Sequence, residues 1–357
     1  MLKLGVVGLG YIANREHLPC LTQFEDVELY CCDAWQEPRE RCMKNFGIPA
    51  ERMFSDLGAM IGQVRPDAVY LLVPQYNKSG ANAAHGTGSP YESMVNQVLE
   101  AGLPLFVEKP LGVDAAQARR ITEKARSCGV KITMCGFQRR FNPLLRHAMK
   151  LIAEQGPLLS ANFCFFKGLS EGVEDEKIIE NHNWLTFDLV HVLDVARWLP
   201  HGKLVSWESA AHRGVGSKVL TAFDVLFNFD NNVSSHFTGN VRVGGRFLRF
   251  ELHGPGISIF ISTVPPGEHN MTAWIFRQDP VHHRNQHLYT PEPEIICVQD
   301  VAPAQIQPAY SGFWGEARHF CDCVAAGIPT ESPFESALET IEMCDAILKK
   351  DAAAGQV

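Results

Sequence analysis

An apolar strand runs directly into a glycine-rich turn at the start of the chain. Leu2-Lys3-Leu4-Gly5-Val6-Val7 is followed at once by Gly8-Leu9-Gly10-Tyr11-Ile12-Ala13. Glycine at position 8 permits a tight turn, and Gly10 carries no Cβ that would block a pyrophosphate. Ala13 is small enough for a following helix to pack closely on the strand. That helix would offer free N–H groups and a positive dipole end to phosphates.

An acidic residue ends the second predicted strand. Asp33 follows Val27-Glu28-Leu29-Tyr30-Cys31-Cys32, where a carboxylate can accept hydrogen bonds from adenosine ribose hydroxyls. The pattern predicts a dinucleotide site, with NAD favoured over NADP because a carboxylate repels a 2′-phosphate. The alternative is an ordinary βαβ unit that binds no ligand. The residues predicted to bind the cofactor here are Gly8, Leu9, Gly10, Tyr11, Ile12 and Asp33.

Length and composition narrow the class of protein. A chain of 357 residues is long enough for two domains. The net charge of −8 argues against a nucleic-acid partner, and no apolar run is long enough to cross a bilayer. Because the first strand begins at Leu2, we expect no signal peptide. The eleven cysteines show neither disulfide nor zinc spacing, so we expect reduced thiols and a cytoplasmic location.

Strand and helix signals alternate through residues 1–135, which predicts a Rossmann domain, a doubly wound parallel α/β sheet. A long polar loop between Val73 and Tyr91 follows an apolar strand, at the sheet end where ligands bind. Whether this loop closes over a ligand is left open.

After residue 136 the pattern changes to strand-like runs linked by hairpin signals, which predicts an α+β domain over residues 136–357 with a large, mostly antiparallel open sheet. Phe229-Asp230-Asn231-Asn232 is a predicted hairpin turn. Two C-terminal helices are expected to pack near the Rossmann domain. The strand-like runs are Val219–Phe229, Val233–Arg242, Arg246–His253 and Ile257–Thr263.

A set of motifs, taken in order, resembles the glucose–fructose oxidoreductase / inositol 2-dehydrogenase / MocA (Gfo/Idh/MocA) family of NAD(P)-dependent sugar and polyol dehydrogenases. The likeness covers essentially the whole chain and continues to Gly327-Ile328-Pro329 near the last helix. The motifs are Gly8-x-Gly10-x-x-Ala13, Asp33, Glu108-Lys109-Pro110, Gly136-Phe137-Gln138-Arg139-Arg140-Phe141-Asn142-Pro143 and His191-x-x-Asp194-x-x-x-Trp198-Leu199.

The resemblance implies that Lys109 orients the reactive hydroxyl and that His191 is the acid/base. It also implies a sugar or polyol substrate and a homodimer or homotetramer formed through the open sheet. The peptide bond between Lys109 and Pro110 is predicted to be cis, since X–Pro bonds tolerate that form. Further cofactor-binding residues follow from the same resemblance: Pro74, Gln75, Glu108, Lys109 and Gln138.

One position departs from the family pattern. Members of the family usually have an aspartate four residues before the catalytic histidine. In this chain that position is Phe187, and Asp188 follows it. Helical spacing would let Asp188 touch His191 and orient its imidazole, so Asp188 is the third catalytic candidate. The alternatives are a surface ion pair or a side chain that points aside.

Other clusters carry weaker signals. The histidine-rich segment 282–287 has no paired carboxylates, so no metal site is predicted. Tyr310, Phe313 and Trp314 could stack on a sugar, although core packing explains them equally well. The leading function is hydride transfer between NAD(P) and a sugar, polyol or sugar derivative. The alternatives are an NAD-assisted glycoside hydrolase of the same fold and a non-catalytic cofactor- or sugar-binding regulator, which Phe187 favours.

Overall fold

The structure is a computed structural model that describes residues 1–75, 90–168, 183–214, 217, 219–263, 270–278 and 292–354. The chain divides into two compact units. The first contains Met1–Gln138 and Phe313–Ala346. The described residues of the second lie within Arg139–Asp175, Asn183–Gly312 and Ile347–Val357. The chain passes from the first unit to the second after Gln138, and residues 313–346 group with the first unit.

The first unit is built on a six-stranded parallel sheet in the order β3-β2-β1-β4-β5-β6. The strand order reverses between β1 and β4, which opens a crevice at the carboxyl ends of these strands. This confirms the predicted doubly wound sheet. Its strands are β1 (Leu2–Val7), β2 (Val27–Cys32), β3 (Met53–Phe54), β4 (Ala68–Leu71), β5 (Leu105–Glu108) and β6 (Thr133–Gly136).

Helices follow the strands of this sheet. Two begin at aspartates whose side chains accept a backbone N–H three residues on, Asp56 from Ala59 and Asp114 from Gln117. The helical segments are a π-helix Ala13–His17 that continues as Leu18–Leu21, then Gln36–Phe46, the 3₁₀ turn Ala50–Arg52, Leu57–Val64, Tyr91–Glu100, Ala115–Ser127, Phe313–Ala326 and Phe334–Ala354.

The outer edge of β6 is covered by a segment from near the C-terminus. Cys135 N–H donates to the Ser332 carbonyl at 2.8 Å, and the Ser332 hydroxyl donates back to the Cys135 carbonyl at 2.8 Å. The Thr330 hydroxyl donates to the Thr133 carbonyl at 2.6 Å. These bonds satisfy polar groups that an edge strand otherwise leaves unpaired.

The second unit contains an eight-stranded sheet in the order β14-β13-β12-β11-β7-β10-β9-β8. It is antiparallel except where β10 pairs with β7, which confirms the predicted α+β class. Strand β7, missed in the sequence, lies between β11 and β10. The strands are β7 (Ser160–Lys167), β8 (Leu204–His212), β9 (Ala222–Phe229), β10 (Ser234–Asn240), β11 (Arg246–Gly254), β12 (Ile257–Ser262), β13 (Thr272–Arg277) and β14 (Glu294–Cys297).

Two helices pack on one face of this sheet: Pro143–Gln155 contacts β11 and β12, and Val190–Trp198 contacts β7 and β10. Between β9 and β10 the chain turns at Asn232, which has φ of +63°, and this confirms the predicted hairpin. The other helical segments of the second unit are the π-helix Leu185–Leu189, Val298–Val301 and Gln307–Ser311, and the 3₁₀ turn Gln138–Phe141 leads into the unit.

Within the described ranges, no helix combines the length and the apolar character that a membrane span requires. None of the eleven cysteines, all of which lie in the described ranges, forms a disulfide, and only Cys297 is exposed.

Candidate functional site

The turn after β1 depends on two glycines with different roles. Gly8 has φ of +90°, and a Cβ there would lie 3.0 Å from the backbone carbon of Leu72. Only glycine therefore fits without moving backbone. At Gly10, leaving aside its own chain neighbours, no atom of the described residues lies within 4 Å of the Cβ position. The backbone at Gly10 is thus open to close approach by a pyrophosphate, which is the fit that a dinucleotide requires.

The carboxylate of Asp33 is held beside this turn by backbone donors. Leu9 N–H donates to Oδ2 at 2.8 Å, and Trp35 N–H donates to Oδ1 at 3.0 Å. A negative charge is therefore fixed at the carboxyl ends of β1 and β2, where an adenosine ribose is expected. Arg39 Nη1 donates to the Asp33 backbone carbonyl at 2.6 Å, so a cation lies next to the same residue.

Two aromatic side chains beside the turn are strongly exposed, Tyr11 at 71 % and Trp35 at 76 %. Exposed aromatic rings next to a crevice are available to stack on a planar ligand. Tyr11 was predicted from the sequence as a cofactor-binding residue, whereas Trp35 and Arg39 were not. A signal for both was present, because both lie within six residues of Asp33 in the segment that leaves the carboxyl end of β2.

A buried hydrogen-bonded chain ends at the residue before Lys109. His17 Nε2 lies 2.8 Å from Glu108 Oε1, and the Tyr70 hydroxyl lies 3.2 Å from His17 Nδ1. His17 and Tyr70 are fully buried, and burial raises the pKa of the Tyr70 phenol well above its usual value. Gln75 Nε2 donates to the Glu108 carbonyl at 2.6 Å. The sequence predicted Glu108 and Gln75 as site residues but missed His17 and Tyr70.

Lys109 follows β5 directly and is half-buried. Its backbone N–H donates to Glu108 Oε2 at 2.9 Å, and its peptide bond to Pro110 is cis, as predicted. Gln138, the last residue of the first unit, is buried, and within the described part of the chain its side-chain oxygen has no hydrogen-bond partner. A buried acceptor of this kind is expected where a ligand supplies the donor. Pro74 is exposed.

In the second unit, His191 lies one residue inside the Val190–Trp198 helix and is half-buried. The preceding Leu185–Leu189 segment is a π-helix, whose wider i→i+5 winding changes the angle between successive side chains. The winding of the helix therefore changes between Asp188 and His191. Asp188 Oδ1 accepts a hydrogen bond from Lys167 Nζ at 2.5 Å, and Phe187 is buried. The contact between Asp188 and His191 stays a prediction.

Two motifs that carry the family resemblance bind each other within the second unit. Arg140 Nε donates to Asp194 Oδ2 at 2.7 Å, and Arg140 Nη2 donates to Oδ1 at 2.6 Å. Both side chains are fully buried, and the guanidinium lies 5.1 Å from the centre of the Trp198 ring. This bidentate pair ties residue 140 to the helix that carries His191.

The weaker clusters named in the sequence have different outcomes. Residues 282–287 lie outside the described ranges, and among the residues that are described no group of His, Cys, Asp and Glu could hold a metal ion. Phe313 packs edge-on against His17 with ring centres 5.0 Å apart, and Trp314 packs on Phe24 at 5.2 Å. The Tyr310 hydroxyl donates to Gln305 at 3.0 Å. These aromatic rings therefore have packing partners of their own.

Comparison with known proteins agrees with this geometry. Residues 2–136 match the family described as "Oxidoreductase family, NAD-binding Rossmann fold". The chain is 29% identical to an inositol 2-dehydrogenase of Corynebacterium glutamicum (strain R) over 66% of this chain and 68% of that protein. It is 23% identical to a scyllo-inositol 2-dehydrogenase (NAD(+)) of Bacillus subtilis (strain 168), over 91% of this chain and 87% of the relative. A Gfo/Idh/MocA family oxidoreductase from Vibrio cholerae has a similar fold, with a TM-score of 0.76 and 21% identity, covering 99% of each chain.

A glycine turn and a fixed carboxylate at the carboxyl ends of a doubly wound sheet define a dinucleotide-binding Rossmann protein, and the family model places residues 2–136 among the oxidoreductases with that fold. Beyond those residues the chain is similar to inositol 2-dehydrogenases, and its fold is similar to that of a Gfo/Idh/MocA family oxidoreductase. The predicted resemblance and fold class are confirmed, and the names of the relatives support a dehydrogenase that acts on a CH–OH group. The cofactor prediction is confirmed as far as an NAD-binding Rossmann fold.

Proposed function

We propose that the protein is an NAD-dependent dehydrogenase that oxidises a secondary hydroxyl of a polyol, a sugar or a sugar derivative. The observation that carries this proposal is the arrangement at the carboxyl ends of the parallel strands: open backbone at Gly10, the fixed carboxylate of Asp33 and Lys109 directly after β5. The names of the two relatives favour a cyclic polyol such as an inositol.

The chain's own residues would act as follows. Gly8 and Gly10 shape the turn that receives the pyrophosphate, and Asp33 accepts hydrogen bonds from the ribose hydroxyls. Lys109 donates a hydrogen bond to the substrate hydroxyl oxygen and stabilises the negative charge that develops there. His191 accepts the hydroxyl proton. When bound, the nicotinamide supplies the acceptor for the hydride.

Asp33 supports NAD rather than NADP, because its carboxylate would face the 2′-phosphate at close range. Arg39 acts in the opposite direction, because its guanidinium, which is bonded to the Asp33 carbonyl, would attract a 2′-phosphate. We expect the carboxylate to dominate in the native protein. Isothermal titration with both cofactors tests this, and equal or tighter binding of NADP would contradict it.

Turnover is tested by following nicotinamide absorbance with a panel of inositols, aldoses and sugar acids. We expect reduction of NAD with at least one of them, and a fall of about 10²–10⁴-fold in kcat for His191→Ala with the Kd for NAD nearly unchanged. Lys109→Met should behave in the same way. Thr122→Val, which removes a buried hydroxyl donating to Ala118 within one helix, is a matched control and should keep wild-type turnover.

Asp188 stays the third catalytic candidate. Because Lys167 already binds its carboxylate, we expect Asp188→Asn to reduce kcat less than His191→Ala does. An equal loss in both variants would show that Asp188 acts directly on the histidine or the substrate.

Phe187 favours one other function, a cofactor-binding regulator without turnover, because it replaces the family's usual aspartate. Tight NAD binding with no turnover on the whole panel would support that function. Activity gained in Phe187→Asp would support it further.

We also propose that the protein is a cytoplasmic homodimer or homotetramer assembled through the open face of the eight-stranded sheet, the face that carries Leu226. Among the described residues, the two sheet-packing helices pack on the opposite face, and Leu226 on β9 is 42 % exposed. The eleven free cysteines fit a reducing compartment. Light scattering should give the mass of two or four chains, and Leu226→Lys should lower it.

A further inference from the structure

The Rossmann unit buries a polar chain that the proposed chemistry does not use. Tyr70 and His17 have no exposed surface, and Glu108 is 8 % exposed. The Tyr70 hydroxyl lies 3.2 Å from one ring nitrogen of His17, and Glu108 lies 2.8 Å from the other. The three side chains come from β4, the π-helix and β5, so they join elements that are distant in sequence.

Both carboxylate oxygens of Glu108 are engaged. Oε1 binds His17, and Oε2 accepts the backbone N–H of Lys109 at 2.9 Å. The Glu108 carbonyl accepts Gln75 Nε2 at 2.6 Å. These three contacts fix the Glu108 rotamer and both ends of the peptide group that joins Glu108 to Lys109.

The imidazole of His17 is itself held in place. Its ring packs edge-on against Phe106, with centres 5.8 Å apart, and against Phe313, at 5.0 Å. The Tyr70 ring stacks on Phe106 with an interplanar angle of 3°. The position of His17 is therefore set by aromatic packing rather than by Glu108, and this lets the histidine act as a fixed anchor for the carboxylate.

Stability alone is a weak reason for such an arrangement. Burying a carboxylate and an imidazole costs desolvation, and well-packed apolar groups of the same volume are often as stable or more so. The polar chain adds orientation. Hydrogen bonds are directional, so each one fixes the orientation of the next group, and the last bond of the chain is made with the backbone N–H of Lys109.

We propose that His17 is a positioning residue that, through Glu108, sets the backbone of Lys109 and so aims its ammonium at the substrate hydroxyl. Tyr70 completes the arrangement by fixing the other side of the imidazole. The inference rests on the proposed function only for the last step, since the effect on the Lys109 backbone does not depend on any substrate.

The first test needs no activity. Hydrogen–deuterium exchange, resolved to the Lys109 amide by fragmentation, is compared in the wild type, His17→Leu, His17→Gln and Thr122→Val. His17→Leu removes the hydrogen bond between His17 and the Glu108 carboxylate, so the Lys109 amide should exchange about 10–100-fold faster than in the wild type. His17→Gln retains a donor for Glu108 and should restore most of the protection. Thr122→Val measures the effect of losing a buried hydrogen bond elsewhere in the same unit.

The second test uses turnover. With myo-inositol, or whichever substrate of the panel reacts, carrying deuterium on the oxidised carbon, His17→Leu should lower kcat by about 10–100-fold and raise the isotope effect on kcat. The KM for NAD should stay near the wild-type value. A purely structural loss would reduce the active fraction and leave the isotope effect unchanged.

The outcomes separate cleanly. Unchanged exchange at Lys109 in a folded His17→Leu overturns the inference, whatever the activity. Faster exchange with no turnover in the wild type upholds the positioning of Lys109 and refutes the proposed function instead. If His17→Leu does not fold, Tyr70→Phe takes its place, because it removes one hydroxyl and keeps the stacked ring. It should give a smaller acceleration, about 3–10-fold, and the absence of any change would refute the proposal.

Discussion

The buried pair between Arg140 and Asp194 gives a sharp prediction about stability. Both side chains have no exposed surface, and two parallel hydrogen bonds of 2.7 and 2.6 Å join them. The isosteric change Asp194→Asn removes the negative charge that faces the buried Arg140 guanidinium and that Arg197 also approaches at 3.9 Å. Since a buried charge cannot recover its hydration, the loss should far exceed that of a surface pair.

The expected cost is about 3–5 kcal/mol, the range for breaking one partner of a buried ion pair. For a folded unit of roughly 150–250 residues, each kcal/mol lowers Tm by about 2–4 °C, so the second unit should melt roughly 6–20 °C earlier. Asp322→Asn is the control. Asp322 is 64 % exposed and pairs with Arg318 one helical turn away at 2.8 Å, so its loss should cost about 1 kcal/mol or less.

Differential scanning calorimetry of the full chain measures both variants. The double variant Arg140→Met with Asp194→Leu supplies the decisive comparison, because replacing both charges by apolar groups should recover most of the stability lost in the single variant. Either of two results would contradict this prediction. Asp194→Asn could melt within about 2 °C of the control variant, or the double variant could lose as much stability as the sum of the losses in its two single variants.

Three further outcomes are expected. Gly10→Ala should lower NAD affinity in titration and keep the wild-type Tm, because the added Cβ meets open space. Gly8→Ala should lower both NAD affinity and Tm, because its Cβ would lie 3.0 Å from backbone and its φ is +90°. Loss of NAD affinity without loss of Tm in Gly8→Ala would contradict this. Asp33→Ser should relax the preference for NAD over NADP, measured by the ratio of the two Kd values, because Arg39 remains beside the ribose position; an unchanged ratio would show that another group discriminates. At pH 8, iodoacetamide followed by mass spectrometry should label exposed Cys297 first and leave Cys32 unmodified, because burial raises the pKa of the Cys32 thiol to about 12 and keeps it neutral.

The cofactor side of the site could be predicted from the sequence because its determinants are local. A glycine that needs positive φ, an apolar strand and an acidic residue at the next strand end occur within the first 33 residues. The cis bond before Pro110 followed from an equally local motif. The Leu9 donor that holds Asp33 could not be predicted, because Leu9 approaches it only after β1 and β2 have paired. The Trp35 donor is local, two residues after Asp33.

The second unit shows what a sequence pattern misses. Strand β7 was overlooked because it enters the sheet between β11 and β10, partners about 70–90 residues later in the chain. The π-helix before His191 was also missed, because residue periodicity predicts a helix without saying how tightly it winds. The hydrogen bond from Lys167 to Asp188 could not be predicted either, because Lys167 ends β7, a strand that the sequence pattern did not reveal.

The cover on β6 has a consequence for biosynthesis. The edge of this strand is completed by residues 330–334, whose contacts with Thr133 and Cys135 span 197 positions in the chain. At a translation rate of about 5–20 residues per second, the edge of the nascent sheet stays bare for about 10–40 s. During that interval the emerging domain exposes an unpaired strand to other chains and to chaperones. A ribosome stalled before residue 330 should therefore hold a domain that a chaperone still recognises, and release of the last segment should end that recognition.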